Sequence, residues 1–324
     1  MKRYSQATLA VIASSLHSEG GDWRSIYFLV RHLQSKGEQT FFINPSGKRG
    51  LRQFLATAFW APRILVNGLG TVMRWDVLLL CLFRKTACVY LHETDYMLDI
   101  AEKTSPLKFR VLVRILKRNP VFCVSKQAEA LYQARFGSQK TFVVYECPGA
   151  NCSQAKLDKT KKHIVMVGSI NERKGVELFS KVADLAADSH PGWQFHWVGS
   201  LATMNPIYQS TNVTWHGWQW QPGNIVERCD LFFLSSVDDP CPLAALEAMQ
   251  QGLGIIAYRE TGTAEIIEEI VGCGVFEDYS DEAVMVCLQK ALSAGSDPEQ
   301  VKEKARAITG VEAFSKRIEE AFAK

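Results

Sequence analysis

The stretch H-I-V-M-V-G-S-I-N-E-R-K-G-V-E-L-F-S-K-V-A-D-L-A-A-D (residues 163–188) sets the architecture. Five residues, four of them apolar, stop at Gly168, a polar loop runs to Gly175, and a segment with apolar residues at helical spacing follows. That is strand, loop, helix, the first half of a βαβ unit. Downstream the pattern repeats, with strands predicted at 195–198, 213–215, 231–234 and 254–257 and a helix from about Leu243. Upstream it runs at the same rhythm. Strands are predicted at 7–13, 40–43, 63–66, 87–91, 121–124 and 141–145, with helices at 24–35, 106–118 and 126–136. Strands alternating with helices imply parallel sheets covered on both faces.

Residues 146–162 interrupt the rhythm with Pro148-Gly149 and a charge-rich run, and read as a linker. At 324 residues the chain is long enough for two cores. The expected division is an N-terminal domain at 1–148, completed by a C-terminal helix at 311–324, and a second domain at 149–310. Two doubly wound domains facing a central cleft suit a bulky nucleotide conjugate and a second substrate.

Composition excludes several classes. With 47% hydrophobic and 22% charged residues the chain is neither disordered nor fibrous. Nine scattered cysteines contain no C-x-x-C pair, so they read as reduced cytosolic thiols. The apolar run at 7–16 is broken by Ser14 and Ser15 and leads into His17, Glu19 and Asp22, so no signal peptide is expected. Residues 77–83 are too few to span a bilayer. No G-x-G-x-x-G follows a predicted strand, which argues against a dinucleotide dehydrogenase, and no nucleic-acid recognition motif is present. The net charge of +3 divides unevenly: residues 1–148 hold 21 Lys and Arg against 10 Asp and Glu, and the remainder 16 against 24.

Two constellations follow strands in the second half. In G-S-I-N-E-R-K-G (168–175), adjacent Arg173 and Lys174 on a Gly-bearing loop make a pyrophosphate clamp. In S-S-V-D-D-P-C-P-L-A-A-L-E-A-M (235–249), Asp239 sits in a loop and Glu247 in the second turn of the next helix, beside amides that suit phosphate oxygens. On spacing alone both acids read equally well as solvated surface charges.

Together these motifs resemble glycosyltransferase family 4, retaining enzymes of the GT-B fold. V-G-S-I-N-E-R-K-G-V-E-L-F (167–179) resembles the family's phosphate loop, and residues 235–257 resemble its E-x7-E region and following strand. T-G-T-A-E-I-I (261–267), V-I-A-S-S-L-H-S-E-G-G-D-W (11–23), V-Y-L-H-E (89–93) and C-V-S-K-Q-A (123–128) resemble further landmarks. The resemblance implies that Glu247 binds the ribose and Asp239 a donor-sugar hydroxyl, while the backbone at Leu243 and Ala244 meets the phosphates. It also implies that Arg173 and Lys174 neutralise the leaving diphosphate, with Gly168 and Ser169 in the same loop. Gly20 and Gly21 would let the N-domain loop approach the donor, and His92 would lie near the reacting sugar. The other reading of His92 is a hydrogen-bonded histidine at a strand end.

Transfer with retention is implied, without protein nucleophile, metal or cofactor, from a nucleoside-diphosphate sugar, UDP-sugar rather than GDP-sugar. Ser169 stands where the family often has Arg, Asp239 where it has Glu, and Pro240-Cys241-Pro242 where a Phe-Gly loop is commoner. Alternatives on the same scaffold are a nucleotide-sugar 2-epimerase and a non-catalytic nucleotide-sugar-binding partner of another transferase. The helix at 106–118 places Arg110, Arg114, Lys117 and Arg118 on one face. That face suits either an anionic membrane carrying a lipid-linked acceptor or plain solvation. The expected location is cytoplasmic, with peripheral contact at the inner face of the membrane. Glycan or lipid-linked acceptors fit surface polysaccharide or glycolipid synthesis.

Overall fold

The computed structural model describes residues 9–13, 24–45, 61–84, 86–148, 160–201 and 208–323. The chain forms two compact units, Met1–Gly149 with Thr309–Lys324, and Ala150–Ile308.

The first unit contains β1 (Leu9–Ile12), α1 (Arg24–Ser35), β2 (Thr40–Ile43), β3 (Ile64–Asn67), α2 (Leu69–Val72), α3 (Trp75–Phe83) and β4 (Ala87–Leu91). It continues through α4 (Asp95–Thr104), α5 (Pro106–Leu116), β5 (Val121–Cys123), α6 (Lys126–Phe136) and β6 (Thr141–Val143). The second unit holds β7 (Lys162–Val167), α7 (Val176–Ser189), β8 (Trp193–Val198), β9 (Val213–Trp215), α8 (Gly223–Val226), β10 (Leu231–Leu234) and α9 (Leu243–Gln250). After these come β11 (Gly254–Tyr258), α10 (Ala264–Ile267), β12 (Gly274–Phe276), α11 (Asp281–Ala294) and α12 (Pro298–Thr309). The last helix, α13 (Val311–Ala323), packs on α1 in the first unit.

Each unit is one parallel six-stranded sheet, in the orders β2-β1-β3-β4-β5-β6 and β12-β11-β10-β7-β8-β9. The central strands β4 and β10 are buried along their whole length, because helices cover both faces. In the second unit the chain winds outward from β7 to β9, then returns to place β10 on the other side of β7. The carboxyl ends of β7 and β10 therefore flank a topological switch point, where loops diverge to opposite faces and leave a crevice. In the first unit the corresponding point lies between β1 and β3.

Local sequence explains the helix limits. Ser125 caps α6 by accepting from the Ala128 N–H at 3.1 Å, and left-handed Gly137 ends it. Ser280 caps α11 in the same way. The returning helix α13 is held by aromatic contacts: Phe314 packs 6.1 Å from Tyr90 and Phe322 5.7 Å from Phe122. None of the eight described cysteines forms a disulfide, and burial pushes the Cys81 thiol up to about 12.

Three histidines form a hydrogen-bonded chain across β7, β8 and the end of β9. His163 Nδ1 lies 3.0 Å from His196 Nε2, and His196 Nδ1 lies 3.1 Å from His216 Nε2. Burial, with the two flanking rings, depresses His196 to about 4. The folded ring stays neutral where an unfolded one takes a proton, so its contribution to stability is complete above about 6.5 and declines as pH falls toward 4. Urea unfolding at pH 5 against pH 7 should show roughly 1 kcal/mol lost to this ring, allowing for solvent screening. His196→Phe should remove that part of the pH dependence, and an unchanged profile would reject the assignment.

Candidate active site

The site is built from three loops at the carboxyl end of the second sheet. The first leaves β7 at Gly168, where the Lys174 aliphatic chain passes close by. Asn171 Oδ1 accepts from the Lys174 N–H at 2.9 Å, closing a short 3₁₀ turn over Glu172–Lys174. Gly175 then takes a left-handed conformation, φ 72°, before α7. Only glycine fits there, since a Cβ would lie 1.8 Å from the Ser235 carbonyl oxygen.

That close approach ties the first loop to the second. The Ser235 hydroxyl donates to the Lys174 carbonyl at 2.8 Å, the Val237 N–H donates to the Arg173 carbonyl at 3.0 Å, and the Tyr279 hydroxyl donates to the Ser235 carbonyl at 2.6 Å. The third loop joins at Asp239, whose carbonyl accepts from the Gly262 N–H at 3.0 Å next to a bridge with Thr261.

This framework brings the predicted charges together. Lys174 Nζ pairs directly with Asp239 Oδ2, with side-chain exposures of only 15% and 9%. Arg173 lies 3.7 Å from the same oxygen and donates to the Asp238 carbonyl at 2.9 Å. The Ser236 hydroxyl donates to Asp239 at 3.3 Å. Burial of a carboxylate demands such partners.

Helix α9 begins immediately after. Pro242 is extended at the N-cap, which provides no side-chain cap. Helix geometry leaves the Leu243 and Ala244 amides without intrahelical acceptors. Ala245, Leu246, Ala248 and Met249 are buried, whereas Leu243, Ala244 and Glu247 lie along the half-exposed stripe. The Leu243, Ala244 and Glu247 side chains therefore share one side of the helix, with the first-turn amides at its end. Ser169 is exposed on the first loop.

His92 belongs to the first unit, just past β4. Its Nε2 lies 2.8 Å from Asn67 Oδ1, and its Nδ1 contacts the Glu146 carboxylate, which also accepts from the Ser25 hydroxyl at 2.9 Å. Both ring nitrogens are thus oriented by neighbours. Gly20 and Gly21 lie outside the described residues.

Sequence reading did not single out Ser235 as a link between loops, or Tyr279. The serine pair directly after β10 is a weak signal of a loop held by side chains, while Tyr279 is 44 residues from its partner and carries none.

Residues 151–308 match the model of the family "Glycosyl transferases group 1". The second unit is a group 1 glycosyl transferase domain. Part of the chain is also 28% identical over 149 residues to glycogen synthase 2 of Geobacter metallireducens, covering 42% of this chain and 31% of that protein. The match thus spans about a third of that relative's length. Solved structures resemble the whole chain. Anabaena HepE in complex with UDP has a TM-score of 0.74 at 13% identity, covering 98% of this chain and 99% of that one. Sucrose-phosphate synthase from Thermosynechococcus elongatus has a TM-score of 0.71 at 16% identity, covering 98% of each. The fold is accordingly of the GT-B type, and in the group 1 domain the switch-point crevice is where the loops bearing Lys174 and Asp239 meet.

Proposed function

We propose that this chain is a retaining hexosyltransferase that takes a sugar from a UDP-sugar and passes it to a glycan or lipid-linked acceptor in surface polysaccharide or glycolipid synthesis. The observation that carries this reading is the Lys174–Asp239 pair, locked between two loops at the switch point and followed at once by the α9 N-terminus. HepE, which shares the fold, has been solved with UDP, with UDP and glucose, and with UDP-glucose, which favours a uridine nucleotide here.

Each residue has a chemical task in this reading. Lys174 and Arg173 hold the diphosphate, and the Leu243 and Ala244 amides bind its oxygens along the helix dipole. Glu247 accepts from the ribose hydroxyls and Asp239 from a hydroxyl of the sugar. The anomeric carbon–phosphate oxygen bond breaks while the acceptor oxygen bonds to the same face, and the acceptor's proton passes to a departing phosphate oxygen. Two cations supply the charge stabilisation, so the reaction needs neither metal nor cofactor. His92, with both ring nitrogens engaged by Asn67 and Glu146 in the first unit, is the histidine this reading assigns to the catalytic set. The enzyme works in the cytoplasm, at the inner face of the membrane.

Asp239 occupies Lys174 before the donor arrives, so phosphate must compete with it. Asp239→Asn should therefore keep or raise affinity for bare UDP while lowering kcat/KM for the UDP-sugar by about 10²-fold. Equal losses of UDP affinity and turnover would remove the sugar-hydroxyl assignment. The reaction is tested by offering UDP-, GDP- and ADP-sugars and following release of nucleoside diphosphate and the anomeric form of the sugar released. Transfer or slow hydrolysis of a UDP-sugar with retained configuration supports the proposal. An epimerised donor, or binding without turnover of any donor, overturns it.

A further inference from the structure

Beyond Asp76 in its first turn, helix α3 is apolar on every side. Val77, Leu78, Leu80 and Cys81 are buried in the first unit, yet the outward stripe is also apolar: Trp75, Leu79 and Phe83 are 45%, 50% and 84% exposed. These three recur at i, i+4 and i+8, with half-buried Leu82 beside them. A helix with this composition is ordinarily enclosed, and an open apolar stripe marks a surface with a partner.

Helix α5 packs against α3. Lys108 Nζ sits 5.9 Å over the Trp75 ring and joins the two helices. The exposed side of α5 carries Leu107 with Arg110 and Arg114, and Lys117 and Arg118 follow at its end. No acidic residue occurs from Lys103 to Ala128 or from Val77 to His92. Four of the acids around these stretches are paired elsewhere: Asp76 is held by Arg74 at 3.1 Å, and Asp95, Asp99 and Glu102 of α4 all turn to Arg135. Aromatic and aliphatic side chains projecting beside uncompensated cations fit an anionic lipid surface, where the rings enter the headgroup boundary and the cations meet phosphates.

We infer that α3 and α5 together form the membrane-docking face of this protein, with Trp75, Leu79 and Phe83 entering an anionic lipid interface and Arg110, Arg114, Lys117 and Arg118 binding its headgroups. This deepens the peripheral location proposed above and is independent of the donor chemistry.

The test is co-sedimentation of the full chain with vesicles rich in phosphatidylglycerol and with vesicles of phosphatidylcholine alone, alongside UDP titration and sedimentation velocity. The wild type should bind the anionic vesicles preferentially. Arg110→Gln with Arg114→Gln should weaken that binding by about 30-fold, and Leu79→Ser with Phe83→Ser by at least ~10-fold, with UDP affinity unchanged in both. If the wild type binds and neither double variant weakens it, this face is not the docking surface although the peripheral location stands. No binding of the wild type to either vesicle overturns both. A self-associated wild type that Leu79→Ser with Phe83→Ser renders monomeric assigns the face to a second copy of the chain and overturns the lipid proposal.

Discussion

Lys174→Ala is expected to lower kcat/KM for the UDP-sugar by about 10³-fold, the largest effect of any single charge in the site. Two consequences combine. The diphosphate loses a cation that counters its growing charge, worth about 2–3 kcal/mol for one charge-assisted contact. Asp239, almost fully buried, loses its closest positive partner and retains Arg173 at 3.7 Å and the Ser236 hydroxyl at 3.3 Å. A carboxylate so placed repels phosphate instead of being masked from it. Steady-state kinetics with UDP titration checks this, and Lys174→Arg should recover part of the loss because the charge returns with different reach. A kcat/KM within threefold of wild type would show that the diphosphate binds elsewhere.

Gly175→Ala should cost about 3–5 kcal/mol of stability and abolish donor binding in whatever remains folded. The added methyl group meets the Ser235 carbonyl oxygen at 1.8 Å and the Tyr279 hydroxyl at 2.4 Å, on a backbone already at φ 72°. Relief requires Ser235 to retreat, which breaks its bond to the Lys174 carbonyl and moves the chain leading to Asp239. Urea unfolding gives the first quantity and UDP titration under native conditions the second. Tyr279→Phe is the milder companion: it removes one hydrogen bond, about 1 kcal/mol, and leaves the loop contact intact. Full stability and UDP binding in Gly175→Ala would contradict the interlocked-loop geometry.

Much of the architecture is written in local pattern. The predicted strands at 40–43, 87–91, 213–215 and 231–234 coincide with β2, β4, β9 and β10, because short runs rich in apolar and β-branched residues between polar turns mark strands. Helix α3 gave no such signal. A segment apolar on all sides has no 3.6-residue period, so 77–83 shows in sequence only as an apolar run. Strand β12 is three residues opened by a glycine at the sheet edge, too short for a pattern.

The site divides along the same line. Lys174 and Asp239 are legible because each follows a strand, and a chain rule about strand ends needs no knowledge of neighbours. Strand order does need it: periodicity names β7 and β10 without saying that they are adjacent, and that adjacency makes the switch point. The pairing of Lys174 with Asp239, 65 residues apart, and the brace from Tyr279 arise from tertiary packing that no local pattern encodes.

The most direct test of the donor site is isothermal titration of UDP into the wild type, Lys174→Ala and Glu247→Ala under one set of conditions. The proposed geometry predicts measurable binding to the wild type and a loss of at least ~10-fold in each variant, through the diphosphate in one and the ribose in the other. Equal affinity in all three proteins would contradict a donor site between β7, β10 and the start of α9.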